Sequence, residues 1–89
     1  MNNKQREILV ITQEECAEVI QEISKIFRFG ITELHKDGMP HQEKLEMEIG
    51  DLLCMINLLT VHGLVRSDVV TQAVENKSNK LKQWSKIYD

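Results

Sequence analysis

Across 89 residues there are two cysteines, one proline, one tryptophan and one tyrosine, and no excess of positive charge: 11 Lys and Arg stand against 14 Asp and Glu, for a net charge of −3. Each shortage excludes something. Cys16 and Cys54 lack a C-x-x-C spacing and are too few for a disulfide-stapled scaffold, so both read as small buried hydrophobes in a reducing compartment. A negative balance argues against bulk nucleic-acid binding, which needs a basic surface. The longest apolar run, Leu52 to Val61, is broken by Asn57 and Thr60 and falls short of the roughly 20 residues that cross a bilayer. The apolar stretch Ile8–Ile11 is too short for a secretory core, so the expected location is the cytoplasm. Gly30, Gly38, Gly50 and Gly63 never form a G-x-x-x-x-G-K phosphate loop. No Ser or Cys nucleophile has a recognisable base beside it.

The sequence does contain helical periodicity. A single all-α domain over residues 1–89 is expected, with three main helices. The first spans about Gln5 to Phe29, with Leu9, Cys16, Ile20, Ile23 and Phe27 as its main stripe and Ile8, Val19 and Ile26 alongside. Thr12 and Glu15 have capping-box spacing and could split it in two. Lys25 and Arg28 suit its C-terminal dipole, and Gly30 can close it. Ile31–Gln42, with Asp37-Gly38 and Pro40, reads as a loop. The second helix, Glu43 to His62, has Leu45, Ile49, Leu52, Ile56 and Leu59 as its stripe, and Leu53, Met55, Leu58 and Val61 add apolar side chains on its other sides. A helix apolar nearly all round needs cover on several faces. One short chain cannot supply that, so a homo-oligomer, dimer or tetramer, built through residues 43–62 is expected. The third helix starts at the N-cap Ser67-Asp68 and runs toward Tyr88, and Trp84 reads as a core residue on its stripe.

The carboxylates carry the chemistry. Residues three apart share a helix face, so Glu15 and Glu18 form one pair and Glu48 and Asp51 another, each at the margin of an apolar face. Packed together they would repel unless a hard cation lay between them. Mg²⁺, or alternatively Mn²⁺, takes oxygen ligands of this kind, whereas zinc prefers Cys and His. Lys77, on the third helix's stripe, and Lys80, one turn on, are candidate phosphate contacts in place of a Gly-rich loop. Lys25 and Arg28 are further candidates, and Phe29, beside a turn, could stack on a base. His35, His41 and His62 read as structural or solvent-facing.

Glu14-Glu15-Cys16-Ala17-Glu18-Val19, followed by Glu46-Met47-Glu48-Ile49-Gly50-Asp51-Leu52-Leu53, resembles the E-x-x-E and E-x-x-D signature of the all-α nucleoside triphosphate pyrophosphohydrolases, the MazG-like superfamily. Lys25-Ile26-Phe27-Arg28-Phe29-Gly30 and the Lys-rich stretch Lys77–Ser85 are similar to segments of its compact bacteriophage-type members. The resemblance implies an all-helical oligomer that hydrolyses a (deoxy)nucleoside triphosphate to the monophosphate and pyrophosphate with Mg²⁺. It implies Glu15, Glu18, Glu48 and Asp51 as metal ligands. Among them Glu18 is the carboxylate expected to take the proton from water, with Glu15 beside it. For a phage-encoded chain the location would be the host cytoplasm. Two rival readings remain: a non-catalytic helical interaction module, and a helix-turn-helix DNA-binding protein with Leu59, Gly63 and Val69 at the joint and Lys77, Lys80, Lys82 and Lys86 on the backbone. The second leaves the paired acids unexplained.

Overall fold

The computed structural model describes residues 1–89 and is all-helical. Helix α1 spans Asn3–Phe29, α2 spans His41–Val61 and α3 spans Ser67–Trp84. α1 is undivided. Its capping box lies ten residues before the expected one: the Asn2 side chain accepts from the Gln5 amide at 2.8 Å, and Gln5 Oε1 accepts from the Asn2 amide at 3.0 Å. Thr12 instead donates its hydroxyl to the Ile8 carbonyl at 2.7 Å, which satisfies it inside a continuous helix. Asn2-x-x-Gln5 and Thr12-x-x-Glu15 are the same signature, and the longer helix keeps more backbone hydrogen bonds.

α1 ends where Gly30 takes φ 100°, a conformation unfavourable for a residue with a Cβ. The loop that follows is pinned. Leu34 and Pro40 form an isolated antiparallel bridge, Asp37 accepts from the Met39 amide at 3.0 Å, and Lys44 Nζ lies 2.6 Å from Asp37 Oδ2. α2 therefore begins at His41, two residues before the expected start, because the His41 and Gln42 amides are taken up by the carbonyls of Glu33 and Ile31. α3 opens one residue earlier than a Ser67 cap would place it, with Arg66 as N-cap. It stops at Trp84, leaving Tyr88 outside the helix, where its hydroxyl is 3.0 Å from that of Ser78.

α1 and α2 form an antiparallel hairpin, and α3 has no comparable interface with either. The molecule is a plate of 41 × 37 × 14 Å. Its apolar core is Ile8, Met55 and Leu59, with Ile11, Leu58, Leu64 and Val65 partly buried around it. The face of α1 turned toward α2 is thus the secondary row containing Ile8, Val19 and Ile26. The stripe expected to be the core, Leu9, Cys16, Ile20, Ile23 and Phe27, is exposed, with Ile20 at 65% and Phe27 at 86%. At about 100° per residue the two rows lie roughly a quarter-turn apart on the helix, so packing α2 on one leaves the other open. Two further expectations are corrected here: Cys16 and Cys54 are exposed, and Trp84 is 83% exposed. His41, expected to be structural or solvent-facing, is buried.

Candidate metal centre between the hairpin helices

The hairpin holds one antiparallel register in three layers spaced seven residues apart. Ile8 packs with Met55 at the open end, Glu15 meets Glu48 in the middle, and Glu22 meets His41 beside the loop. Seven residues advance a helix by about 10 Å and nearly two full turns, so each layer repeats the same facing positions. The open end is tied further by Gln5 Nε2, which donates to the His62 carbonyl at 3.0 Å. The loop end is tied by the Gly30-to-His41 connection.

In the middle layer one carboxylate oxygen each from Glu15, Glu48 and Asp51 lies within 4.8 Å of the others. Burial raises the Glu48 carboxyl above its ordinary range, and the negative charges of Asp51, Glu18, Glu15 and Glu22 raise it further. Such a group resists ionising beside its neighbours, and a divalent cation would relieve the repulsion. The donor set is oxygen only and partly exposed, which fits Mg²⁺ or Mn²⁺ with water or phosphate completing the shell.

Glu18 is exposed and stands outside the three-oxygen group, one turn nearer the loop, close enough for its charge to act on Glu48. The candidate substrate contacts fall in two places. Lys25 and Phe29 line a cleft at the loop end, where Lys25 Nζ is 3.0 Å from Glu22 Oε1 and the Arg28 guanidinium lies 5.0 Å from the centre of the Phe29 ring. Lys77 and Lys80 are on α3, which does not pack against the acidic layer; Lys77 lines a shallow hollow with Val70, Val74 and Leu81.

Sequence reasoning missed the loop-end layer. Glu22 and His41 are 4% and 3% exposed, with His41 Nδ1 3.9 Å from Glu22 Oε2. The available signal was the seven-residue step from Glu15 to Glu22 and from Glu48 back to His41, which is visible only once the two helices are placed in register.

Comparison with curated proteins and with solved structures finds no match. The family described as MazG nucleotide pyrophosphohydrolase domain matches residues 3–85. That span includes all three helices and every carboxylate of the middle layer, and the fold expected of that family, all-α, is the fold observed. No helix is long and apolar enough to cross a membrane. A match over nearly the whole chain, around acids that the hairpin register gathers into one place, shows that this chain belongs to the MazG nucleotide pyrophosphohydrolase family.

Proposed function

We propose that this chain hydrolyses a nucleoside triphosphate, ribo or deoxyribo, to the monophosphate and pyrophosphate in a Mg²⁺-dependent reaction. The observation that carries this reading is the convergence of Glu15, Glu48 and Asp51 oxygens within 4.8 Å in a chain of this family. Glu15, Glu48 and Asp51 would hold Mg²⁺, which would supply charge neutralisation for phosphate and lower the pKa of a water. Glu18, nearby but outside the group of three, is free to accept the proton of the attacking water, with Glu15 fixing its surroundings. The oxygen of that water forms a bond to phosphorus as the bond from the same phosphorus to the α,β-bridging oxygen breaks, which releases the nucleoside monophosphate and pyrophosphate.

The rest of the site extends beyond one protomer. The accessible surface of 7054 Å² exceeds by roughly 1,700 Å² the value of about 5,400 Å² expected for a compact protein of this mass. The excess is what one subunit loses in a stable homodimer. The exposed α1 stripe and Ile49 and Leu53 of α2 lie on one side of the antiparallel hairpin, and a second subunit seated there is the reading that covers both. This keeps α2 at the interface, as its all-round apolar pattern requires, and adds α1 to it. Lys77 and Lys80 then meet phosphate from a neighbouring subunit's α3, while Lys25, Arg28 and Phe29 stay at the loop end of the hairpin. The DNA-binding alternative has no support, because α3 does not pack on α2 as the two helices of a helix-turn-helix must.

The test is a panel of ribo- and deoxyribonucleoside triphosphates with Mg²⁺, assayed for monophosphate and pyrophosphate against a chelator control. Turnover of at least one is expected. Turnover of none above the control sinks the reading.

A further inference from the structure

Resting on the proposed function, we infer that the loop-end layer is the nucleoside-recognition pocket of the enzyme, with Phe29, Leu34 and the imidazoles of His35 and His41 as its walls and Glu33 and Lys25 at its rim. A cleft of about 360 Å³ opens there, within the size range of small-ligand sites. Its floor is built and polar. His41, 3% exposed, stacks on Phe29 with ring centres 5.7 Å apart and planes 17° apart, and His35 meets His41 edge-on at 5.7 Å. Behind that floor Nδ1 of His41 faces Oε2 of Glu22 at 3.9 Å, and Nδ1 of His35 faces Oδ1 of Asp37 at 3.5 Å, so the two imidazoles are held in place by carboxylates outside the cleft.

The chemistry lining the cleft matches a nucleobase. A base presents flat apolar faces and an edge that carries both donors and acceptors. Phe29 and Leu34, each more than half exposed, offer the apolar surface, Glu33 an acceptor, Lys25 a donor, and the imidazoles either. Position supplies the second argument. From Glu15 to Glu22, and from Glu48 back to His41, the helices advance about 10 Å. That separation matches the distance from the base to the middle of the phosphate chain in an extended nucleotide. Both helices give the same offset, because both steps are seven residues. A substrate with its phosphates at the acidic layer therefore places its base in this cleft.

The test compares Phe29→Ala, Leu34→Ala and Glu33→Gln with the wild type in the assembled protein. Each is expected to raise KM for nucleoside triphosphates about tenfold, to hold kcat within about twofold and to change the ranking of bases, while the Ki of inorganic tripolyphosphate as a competitive inhibitor stays constant. An equal rise in the tripolyphosphate Ki, or an unchanged base ranking in all three variants, overturns the inference. A readout independent of turnover is NMR titration of nucleosides without metal. The imidazole signals of His35 and His41 are expected to move while that of His62, at the opposite end of α2, stays still; unmoved His35 and His41 signals at millimolar nucleoside also overturn it. If no triphosphate is hydrolysed at all, the proposed function fails, and the titration still decides whether the cleft takes a nucleoside.

Discussion

Glu15 of α1 and Glu48 of α2 bring carboxylate oxygens within 4.8 Å of each other across the hairpin, although 33 positions separate them in the chain. Two like charges so placed oppose the packing of the helices that carry them. A divalent cation bound between them, as proposed, would relieve that repulsion.

Glu48→Gln and Asp51→Asn are expected to abolish Mg²⁺ binding, read by isothermal titration, and to reduce turnover by at least about a hundredfold, with far-UV helicity unchanged. Asp51 is exposed and Glu48 half-buried between the helices, so loss of helicity in either variant would mean that the acids are structural.

Glu18→Gln separates proton transfer from metal binding. Since Glu18 lies outside the three-oxygen group, its loss is expected to lower kcat about a hundredfold or more, the usual contribution of a general base, while the Mg²⁺ affinity changes by less than about threefold. A parallel loss of affinity would return Glu18 to the ligand set that the sequence resemblance implies.

The pH dependence of metal-free stability has two arms. Glu48 has a folded-state carboxyl raised above its ordinary value of 4.5, so its stabilising effect is complete below about that pH and disappears as pH climbs through the raised value. Asp37 is lowered to about 2, chiefly by its hydrogen bond to Lys44. Its effect is present above the ordinary 3.8 and disappears as pH falls toward 2. In the presence of chelator, thermal unfolding should therefore move upward as pH drops from 7 toward 4.5 and downward again below 4. Glu48→Gln flattens the first arm and Asp37→Asn the second. Mg²⁺ flattens the first arm in the wild type by substituting for the proton.

Ile20→Glu and Leu53→Glu probe the open apolar side. In an isolated protomer these residues are 65% and 59% exposed, and a surface change of this kind costs within about 0.5 kcal/mol. If a second subunit covers them, sedimentation of either variant shows dissociation at micromolar concentration, accompanied by a loss of several degrees in Tm. A wild-type chain that sediments as a folded monomer would remove the subunit contact from the proposal.

Helix existence, type and order were legible in the sequence, because a 3.6-residue period persists over long segments. So were Glu15, Glu48 and Asp51, since spacing by three puts side chains on one face of a helix whatever it packs against. What the sequence left open was the rotation of α1. Two apolar rows compete on that helix, and the row with fewer large residues faces α2, with Ile8 packed against Met55 and Leu59 and Glu22 beside His41. Cys16 was misread for the same reason, since it belongs to the losing row. Trp84 was misread because its stripe on α3 finds nothing to pack against within the protomer. His41 was hidden by its place among turn residues, since its burial depends on the loop folding back so that the Glu33 and Ile31 carbonyls receive the first amides of α2.

The plate-like shape has a consequence for how such a protein behaves in a cell. Three apolar side chains form the whole buried core of a protomer, too little to hold a chain folded by itself at ordinary temperature. If a second subunit covers the open side as proposed, folding depends on encounter, and the fraction of active molecules rises more steeply than the amount synthesised. Early in expression, at low copy number, the chain would be mostly inactive and open to proteolysis. Past a threshold of synthesis it would switch on over a narrow range, so the timing of activity is set by dosage without any effector.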